Sequence, residues 1–240
     1  MFTIKQIHNT TYWYDPSQLS EDVELAFCID YWKDENAILG SAKGRGTTWF
    51  VQGKIEALAL RHYHRGGLFG KIVKDSYLFT GLTRTRAYQE LTLLEKLISN
   101  NVNVPKPIAA KVTKTSSLSY SADILTQKIS NAKDLVKILS SQSLSKASLH
   151  SIGVEIRKMH DAEVNHTDLN IHNIMIDDKD KVWIIDFDKC CQQAGNKWKE
   201  GNLSRLERSF DKEVELGNID ITHFCFEEIK KGYSNSTLDK

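Results

Sequence analysis

The sequence has no long apolar run and almost no net charge. No window approaches the ~18 apolar residues of a membrane-spanning helix, and the polar N-terminus MFTIKQIHNTTYWY lacks the apolar core of a signal peptide. The 32 lysine and arginine residues are matched by 31 aspartate and glutamate residues, so net charge gives no reason to expect nucleic acid as a partner. We therefore expect a protein that is soluble or attached to a membrane only at its periphery.

Cysteine is also scarce. The four cysteines are Cys28, Cys190, Cys191 and Cys225. Their spacing matches no zinc motif, and the two adjacent residues are poor disulfide partners. We expect four reduced thiols, as in cytosolic proteins.

The first half of the chain has the pattern of strands with one helix. Residues 38–63 alternate β-favouring runs with turns, which predicts three antiparallel strands, and ADILTQKIS at 122–130 predicts another. Over residues 84–98 the apolar period changes to that of one helical face. That face would carry Ala87, Leu91, Leu94 and Ile98.

The second half is mainly helical. A short helix is predicted for residues 131–139 and a longer one for 145–160, with Ser145 as its N-cap. Residues 202–214 form an amphipathic pattern. Between these helices, two apolar runs flank a polar turn within residues 173–186, which predicts an isolated β-hairpin.

These patterns together predict an α+β fold with two lobes. The first lobe, residues 1–130, would be β-rich with one helix, and the second, residues 131–240, would be helical and hold the hairpin. In such arrangements the functional site is often in the cleft between the lobes.

The stretch HTDLNIHNIMIDDKDKVWIIDFD, residues 166–188, carries the candidate chemistry. Asp168 lies in the loop before the hairpin, Asn173 at its entry and Asp186 at its far end. An antiparallel hairpin returns the chain to its start, so Asn173 and Asp186 should lie close together. Phosphoryl transfer needs a positioned hydroxyl and cations on the phosphates, and Mg²⁺ prefers oxygen ligands. We predict that Asn173 and Asp186 bind Mg²⁺ and that Asp168 is the catalytic base.

Two motifs in this stretch resemble those of protein-kinase-like folds. Residues 166–173, H-x-D-L-x-x-x-N, resemble the H-R-D-L-x-x-x-N catalytic loop, and the D-F-D at 186–188 resembles D-F-G. The resemblance implies the same base and metal-binding roles, a protein-kinase-like two-lobed fold, and ATP as the phosphoryl donor. It also implies that residues 126–130 form the hinge that contacts adenine.

The resemblance extends to the first lobe. Gly40, Gly44 and Gly46 would form a loose version of a phosphate-covering hairpin that lacks the third glycine of the usual spacing, and a plain turn between strands is the alternative. Arg61 stands where these folds have the phosphate-binding lysine of V-A-I-K, and Glu90 would be its ion-pair partner. Because arginine presents a planar fork in place of a point charge, Lys54 stays a second, weaker candidate for the phosphate contact.

The acceptor class follows from what surrounds these motifs. No A-P-E motif follows residues 186–188, and Thr167 replaces the arginine of the protein-kinase catalytic loop. A sugar or small molecule is therefore favoured over a protein. Residues 61–86 interleave basic with apolar side chains, which suits an anionic amphiphile or a membrane surface. A solvated basic connector is the alternative. The basic members are Arg61, Arg65, Lys71, Lys74, Arg84 and Arg86.

A second resemblance is more specific. The segment RHYHRGGLFGKIVKDSYLFTGLTRTRAYQE at 61–90, with HTDLNIHNIMID, WIIDFDK and W-x-x-x-N-L-x-R-L-x-R-S at 198–209, resembles the lipopolysaccharide-core sugar kinases. Within that family the resemblance is to kinases of 3-deoxy-D-manno-octulosonic acid (Kdo). It implies ATP-dependent phosphorylation of the Kdo 4-hydroxyl on a lipid A precursor, by a peripheral protein on the cytoplasmic side of the inner membrane.

Such an acceptor carries phosphates and carboxylates on acyl chains, which agrees with the basic segment. Two alternatives stay open at this point. One is a kinase of a core heptose or of a small alcohol on the same fold. The other is a catalytically weak pseudokinase that serves as a binding module, for which the arginine at position 61 is the main support.

Overall fold

The computed structural model describes residues 2–44, 46–64 and 75–235. The chain divides into two compact units. The first unit consists of Met1–Thr92 and Lys106–Lys128, and the second of Leu93–Pro105 and Ile129–Lys240. The second unit therefore includes residues 93–105, which the predicted boundary near residue 130 assigned to the first lobe.

One antiparallel sheet dominates the described part of the first unit. Its strands are β1 (Thr3–Ile7), β2 (Thr10–Tyr14), β3 (Ile38–Lys43), β4 (Thr47–Gln52), β5 (Ala57–His62), β6 (Tyr77–Leu78), β7 (Pro107–Lys114) and β8 (Ser119–Gln127). Their order is β1-β2-β7-β8-β5-β4-β3, and β6 pairs with β8. The three antiparallel strands predicted within residues 38–63 are confirmed as β3, β4 and β5.

Two short helices cover part of this sheet. Helix α1 (Val23–Ala26) begins at Asp22, whose carboxylate accepts the backbone N–H of Glu24, as expected for an N-cap. Helix α2 (Ile29–Asp34) buries Trp32, and the indole N–H of Trp32 donates to the carbonyl of Ala26 at 3.0 Å. The polar end of this side chain is therefore satisfied inside the core of the first unit.

The helix predicted over residues 84–98 is confirmed as α3 (Arg86–Ser99), preceded by a 3-10 turn at Leu82–Arg84. Its buried face differs at one position from the predicted one. Leu97 is fully buried, whereas Ile98 is 40% exposed. A 3.6-residue repeat alternates steps of four and three, so the face that passes through Leu94 continues at Leu97.

The second unit contains four helices and three small strand pairings among its described residues. The helices are α4 (Leu135–Leu139), α5 (Lys146–Asp161), α6 (Lys199–Glu215) and α7 (Phe226–Asn235), and the strands are β9 (Lys133–Asp134), β10 (Val164–Asn165), β11 (Ile174–Ile176), β12 (Val182–Ile184) and β13 (Cys191–Gln192). The predicted hairpin is confirmed as β11–β12. Residues 131–139 are helical only from Leu135, because β9 pairs with β11 first.

Two glycines permit a close crossing of α5 and α7. A Cβ on Gly153 would lie 2.0 Å from the carbonyl oxygen of Ile229, and one on Gly232 would lie 2.0 Å from that of His150. Both positions therefore exclude any side chain. The predicted N-cap of α5 is also confirmed, since the Ser145 hydroxyl accepts the backbone N–H of Ser148 at 3.0 Å.

Candidate active site

Two asparagine side chains close the loop that leads into the hairpin. The backbone carbonyl of Asp168 accepts Nδ2 of Asn170 at 2.8 Å and Nδ2 of Asn173 at 3.0 Å. Oδ1 of Asn170 in turn accepts the backbone N–H of His172. Since Asn173 donates through its amide nitrogen, its Oδ1 is directed away from this carbonyl. The carboxylate of Asp168 lies on an exposed residue at the loop surface.

The hairpin places the third predicted residue at the same end as Asn173. Ile174 is opposite Ile184 in the β11–β12 register, and the backbone N–H of Ile185 donates to the carbonyl of Asn173 at 3.0 Å. Asp186 is the next residue along the chain. The structure thus brings Asp168, Asn173 and Asp186 to one end of the hairpin, within the second unit.

Asp186 has a left-handed backbone conformation, with φ of +63°. This region costs a residue with a Cβ about 1 kcal/mol or more. Its neighbours hold it there. Phe187 is buried against the ring of His166 with 4.9 Å between centroids, and the carbonyl of Ile185 accepts Nε2 of His166 at 3.0 Å.

His166 is a neutral, structural histidine. It is fully buried, and burial lowers its pKa because the imidazolium loses its hydration. Nε2 must carry the proton, since its partner is a carbonyl oxygen, and among the described residues Nδ1 has no hydrogen-bond partner. The ring therefore fixes the carbonyl of Ile185, the residue before Asp186.

Helix α6 holds the same loop from the other side. The Ser209 hydroxyl accepts the backbone N–H of Ile171 at 2.9 Å and donates to the carbonyl of Leu206. One turn later, the buried carboxylate of Glu213 accepts Nε2 of His172 at 3.1 Å and Nδ2 of Asn218 at 2.7 Å. The bond from Asn218, and then that from His172, lowers the Glu213 pKa. The two residues before Asn173 are thus fixed by one helix.

The start of α6 is anchored through a buried histidine. Asn202 donates Nδ2 to Oδ1 of Asn165 at 2.9 Å, so its own Oδ1 accepts Nε2 of His160 at 3.3 Å. Nδ1 of His160 then accepts the hydroxyl of Tyr233 at 2.9 Å, and Trp198 packs edge-on against the ring. Burial lowers the pKa of His160 to about 4, and the two bonds match a neutral imidazole.

In the first unit, Arg61 and Glu90 form the ion pair that the resemblance implied. Nη2 of Arg61 lies 2.5 Å from Oε1 and 2.7 Å from Oε2 of Glu90. Tyr63 donates its hydroxyl to the same carboxylate at 2.7 Å, and the guanidinium lies over its ring. Glu90 is buried, and its carboxylate is paired with the charge of Arg61 and accepts a hydrogen bond from Tyr63.

Of the predicted glycines, Gly40 lies within β3, whereas Gly44 and Gly46 lie in the β3–β4 turn. There the N–H of Gly44 donates to the carbonyl of Gly46 at 2.8 Å. A Cβ on Gly46 would come within 2.0 Å of the His64 ring, whereas none would crowd Gly44. A side chain at position 46 would therefore require the His64 ring to move. Lys54, the second candidate for the phosphate contact, is exposed in the β4–β5 turn.

The comparisons with known proteins agree on one family. A model of the lipopolysaccharide kinase (Kdo/WaaP) family matches residues 29–233, which include every predicted site residue. The chain belongs to the lipopolysaccharide kinase (Kdo/WaaP) family.

Curated relatives of this Kdo/WaaP-family kinase cover most of its length. The 3-deoxy-D-manno-octulosonic acid kinase of Vibrio cholerae serotype O1 is 59% identical over 202 residues, 84% of this chain and 86% of the relative. The 3-deoxy-D-manno-octulosonic acid kinase of Actinobacillus succinogenes is 43% identical over 242 residues, 98% of this chain and 100% of the relative. The predicted membership among lipopolysaccharide-core sugar kinases is confirmed.

A solved structure supports the fold of this family member. WaaP in complex with acyl carrier protein is similar with a TM-score of 0.58 at 15% identity, covering 90% of this chain and 88% of that one. At this identity the likeness concerns the fold alone. It confirms the predicted α+β, protein-kinase-like fold.

Sequence reasoning missed part of the site. Ser209 was noted only as the end of a motif, and Glu213, Asn218 and the pairing of His160 with Asn202 were not predicted. Ser209 and Glu213 are four residues apart, so they share a face of α6. That spacing indicates two polar side chains on one face of the helix, but it does not identify Ile171 and His172 as their partners.

Proposed function

We propose that this kinase transfers the γ-phosphoryl group of ATP to the 4-hydroxyl of the Kdo residue of a lipid A precursor, in lipopolysaccharide core biosynthesis. Relatives with 43% and 59% identity are named 3-deoxy-D-manno-octulosonic acid kinase, which supports this acceptor. The observation that carries the chemistry is the bond from Asn173 Nδ2 to the Asp168 carbonyl, because it couples the proposed base to the proposed cation ligand.

Asp168 orients the acceptor hydroxyl and takes its proton. The hydroxyl oxygen forms the new bond to the γ-phosphorus while the bond from that phosphorus to the β,γ-bridging oxygen breaks, and ADP leaves. The backbone of Asp168 is fixed by two side-chain amides, so its carboxylate is presented from a rigid loop. Positioning is the main contribution that a protein makes to phosphoryl transfer.

Asn173 and Asp186 fit a magnesium ion. Among the described residues no three His, Cys, Asp or Glu side chains are grouped as a metal site. An amide oxygen and a carboxylate are nevertheless suitable, because Mg²⁺ in kinases takes its other ligands from phosphates and water. When bound, the ion would neutralise charge on the β- and γ-phosphates. The orientation of Asn173 supports this role, since its nitrogen is already committed to Asp168.

On the nucleotide side, we propose that Arg61 contacts the phosphates of ATP. The pairing with buried Glu90 and the contact with Tyr63 hold its guanidinium in place. Gly44 and Gly46, in the β3–β4 turn, would cover the phosphates.

We also propose attachment to the cytoplasmic side of the inner membrane. Leu78 and Leu118 are 66% and 67% exposed, and they are neighbours because the N–H of Phe79 donates to the carbonyl of Leu118. Lys114 lies over the Phe79 ring at 4.3 Å. Exposed apolar side chains beside a lysine suit an anionic lipid surface. No helix in the described ranges is long and apolar enough to cross a membrane.

The basic segment of residues 61–86 lies partly outside the described residues. Its basic members outside the described residues are Arg65, Lys71 and Lys74. Arg84 is exposed, whereas Arg86 donates to the Tyr77 hydroxyl and packs over its ring. Flotation with phosphatidylglycerol vesicles should therefore compare wild type with Leu78→Ser/Leu118→Ser. Unchanged vesicle binding by that double variant would reject the attachment surface.

The activity is tested with ATP, Mg²⁺ and three acceptors: Kdo-bearing lipid A precursor, heptosylated lipid A and a generic protein. A mass gain of one phosphate is expected on the Kdo-bearing precursor, and NMR of the product should place it at the 4-hydroxyl. Transfer only to the heptosylated acceptor would favour the heptose kinase, and no transfer to any acceptor would favour a binding module.

The role of Asp168 is tested with Asp168→Asn. Turnover should fall at least about 10³-fold, because the general base is lost, while ATP affinity stays near the wild-type value. Asp180→Asn, on an exposed residue of the β11–β12 turn, is the matched control and should keep full activity. Appreciable turnover by Asp168→Asn would contradict the assignment.

A further inference from the structure

Three basic residues of α6 are not explained by its contacts with the loop. The helix turns Ser209 and Glu213 toward Ile171 and His172. Arg205, Arg208 and Lys212 are exposed instead. Within the described ranges, none of their side chains makes a hydrogen bond or an ion pair. The three residues, called the α6 basic stripe below, follow steps of three and four and so form one row along the helix.

The α6 basic stripe runs directly beside the residues that hold the catalytic loop. In an α-helix, Arg205 and Ser209 are four residues apart and are therefore neighbours on the surface. Ser209 contacts the backbone N–H of Ile171, two residues before Asn173. The stripe thus borders the loop that carries Asp168.

The acidic residues of α6 form no ion pair with the stripe in the described part of the chain. Glu207 lies on the side of the helix that faces α7, where it accepts Nζ of Lys230 at 2.8 Å. Glu213 is buried and bound to His172 and Asn218, and the charge of Lys212 also contributes to lowering its pKa. Asp211 is exposed and three residues after Arg208, but it forms no ion pair with it in the described structure.

We propose that the α6 basic stripe binds the phosphate groups of the lipid-linked acceptor and so directs the Kdo residue toward Asp168. This inference rests on the proposed function. Its occupant is the phosphorylated glycolipid itself, not the surrounding bilayer. Arginine forms paired hydrogen bonds with phosphate oxygens, and two arginines with one lysine form a row that complements an acceptor with several anionic groups. The stripe would make Arg205, Arg208 and Lys212 determinants of acceptor specificity.

The test is the double variant Arg205→Gln/Arg208→Gln. Its KM for Kdo-bearing, bis-phosphorylated lipid A precursor should rise roughly tenfold or more, as expected for the loss of two charge-assisted phosphate contacts. Its KM for ATP should not change. With an acceptor of the same structure that lacks the lipid A phosphates, wild type and variant should have equal kcat/KM. Arg205→Lys/Arg208→Lys should restore part of the lost affinity.

Lys137→Gln/Lys179→Gln is the matched control, because it removes two exposed positive charges from the same unit. It should leave the KM for the acceptor unchanged. An equal rise in both double variants would show a nonspecific effect of net charge and overturn the proposal. So would an Arg205→Gln/Arg208→Gln enzyme with the wild-type KM.

Binding measurements separate this proposal from the proposed function. Affinity for the bis-phosphorylated and the phosphate-free lipid A precursor is measured without ATP by calorimetry in detergent. The proposal is supported if wild type binds the phosphorylated form more tightly and Arg205→Gln/Arg208→Gln does not. This holds even if the transferred phosphate proves to be on another sugar. If Arg205→Gln/Arg208→Gln loses as much affinity for phosphatidylglycerol vesicles as for the precursor, the stripe binds the membrane surface and the proposal is rejected.

Discussion

His160 gives a quantitative test of how α6 is anchored. Its pKa is lowered from 6.5 to about 4 by burial, so the unfolded chain binds a proton at a higher pH than the folded chain. Above pH 6.5 His160 is neutral in both states, and the free energy of unfolding keeps its full value with respect to this residue. As the pH falls from 6.5 toward 4, the unfolded chain takes up a proton that the folded chain does not, and the free energy of unfolding decreases. For these two pKa values, the linkage relation predicts that the free energy of unfolding falls by about 2 kcal/mol between pH 7 and pH 5 through this residue alone.

The comparison is between wild type and His160→Gln. Glutamine can donate to Asn202 and accept from Tyr233, but it does not titrate in this range. Urea unfolding at pH 7, 6 and 5 gives the free energy of unfolding for each protein, and the carboxylates and His166 contribute equally to both. The wild type should lose about 2 kcal/mol more than the variant.

His8→Asn removes an exposed histidine from the β1–β2 turn and is the control for losing an imidazole. Its free energy of unfolding should vary with pH as in wild type. If wild type and His160→Gln lose the same free energy between pH 7 and pH 5, burial does not keep His160 neutral and the reasoning is refuted.

Three further predictions concern packing and positioning. Gly232→Ala should lower the free energy of unfolding, measured by urea titration, by about 3 kcal/mol through overlap with α5. The control Gly201→Ala, whose Cβ meets no atom within 4 Å, should raise it by up to about 1 kcal/mol, and equal effects of the two substitutions would contradict the close crossing. Ser209→Ala should leave the N–H of Ile171 without its partner, lower the free energy of unfolding by about 1–2 kcal/mol and lower kcat. An unchanged kcat would show that this bond does not position the loop. Arg61→Met should raise the KM for ATP about tenfold or more, and Arg61→Lys should raise it less. Equal KM values for the two variants would show that a positive charge at position 61 is not needed.

Local features of the sequence were enough to predict the elements that carry the site. The polar turn between two apolar runs predicted the β11–β12 hairpin, and Ser145 followed by a 3.6-residue period predicted α5. These predictions succeeded because hydrogen-bond partners in turns, caps and helices are only a few residues away. The β1–β2 hairpin and helices α1 and α2 were not predicted, since short elements of four to six residues give little periodicity.

The sequence by itself determined the family and the fold class, and it predicted three residues for phosphoryl transfer: Asp168, Asn173 and Asp186. Only the tertiary structure showed what holds them. Ser209 lies 38 residues from Ile171, and Glu213 lies 41 from His172. Such pairs form only after α6 has packed against the loop. Burial of apolar side chains drives that packing, and because this force is non-directional, the local sequence does not show which surfaces will meet. The same packing left Arg205 and Arg208 exposed, which no local pattern in R-L-x-R-S could decide.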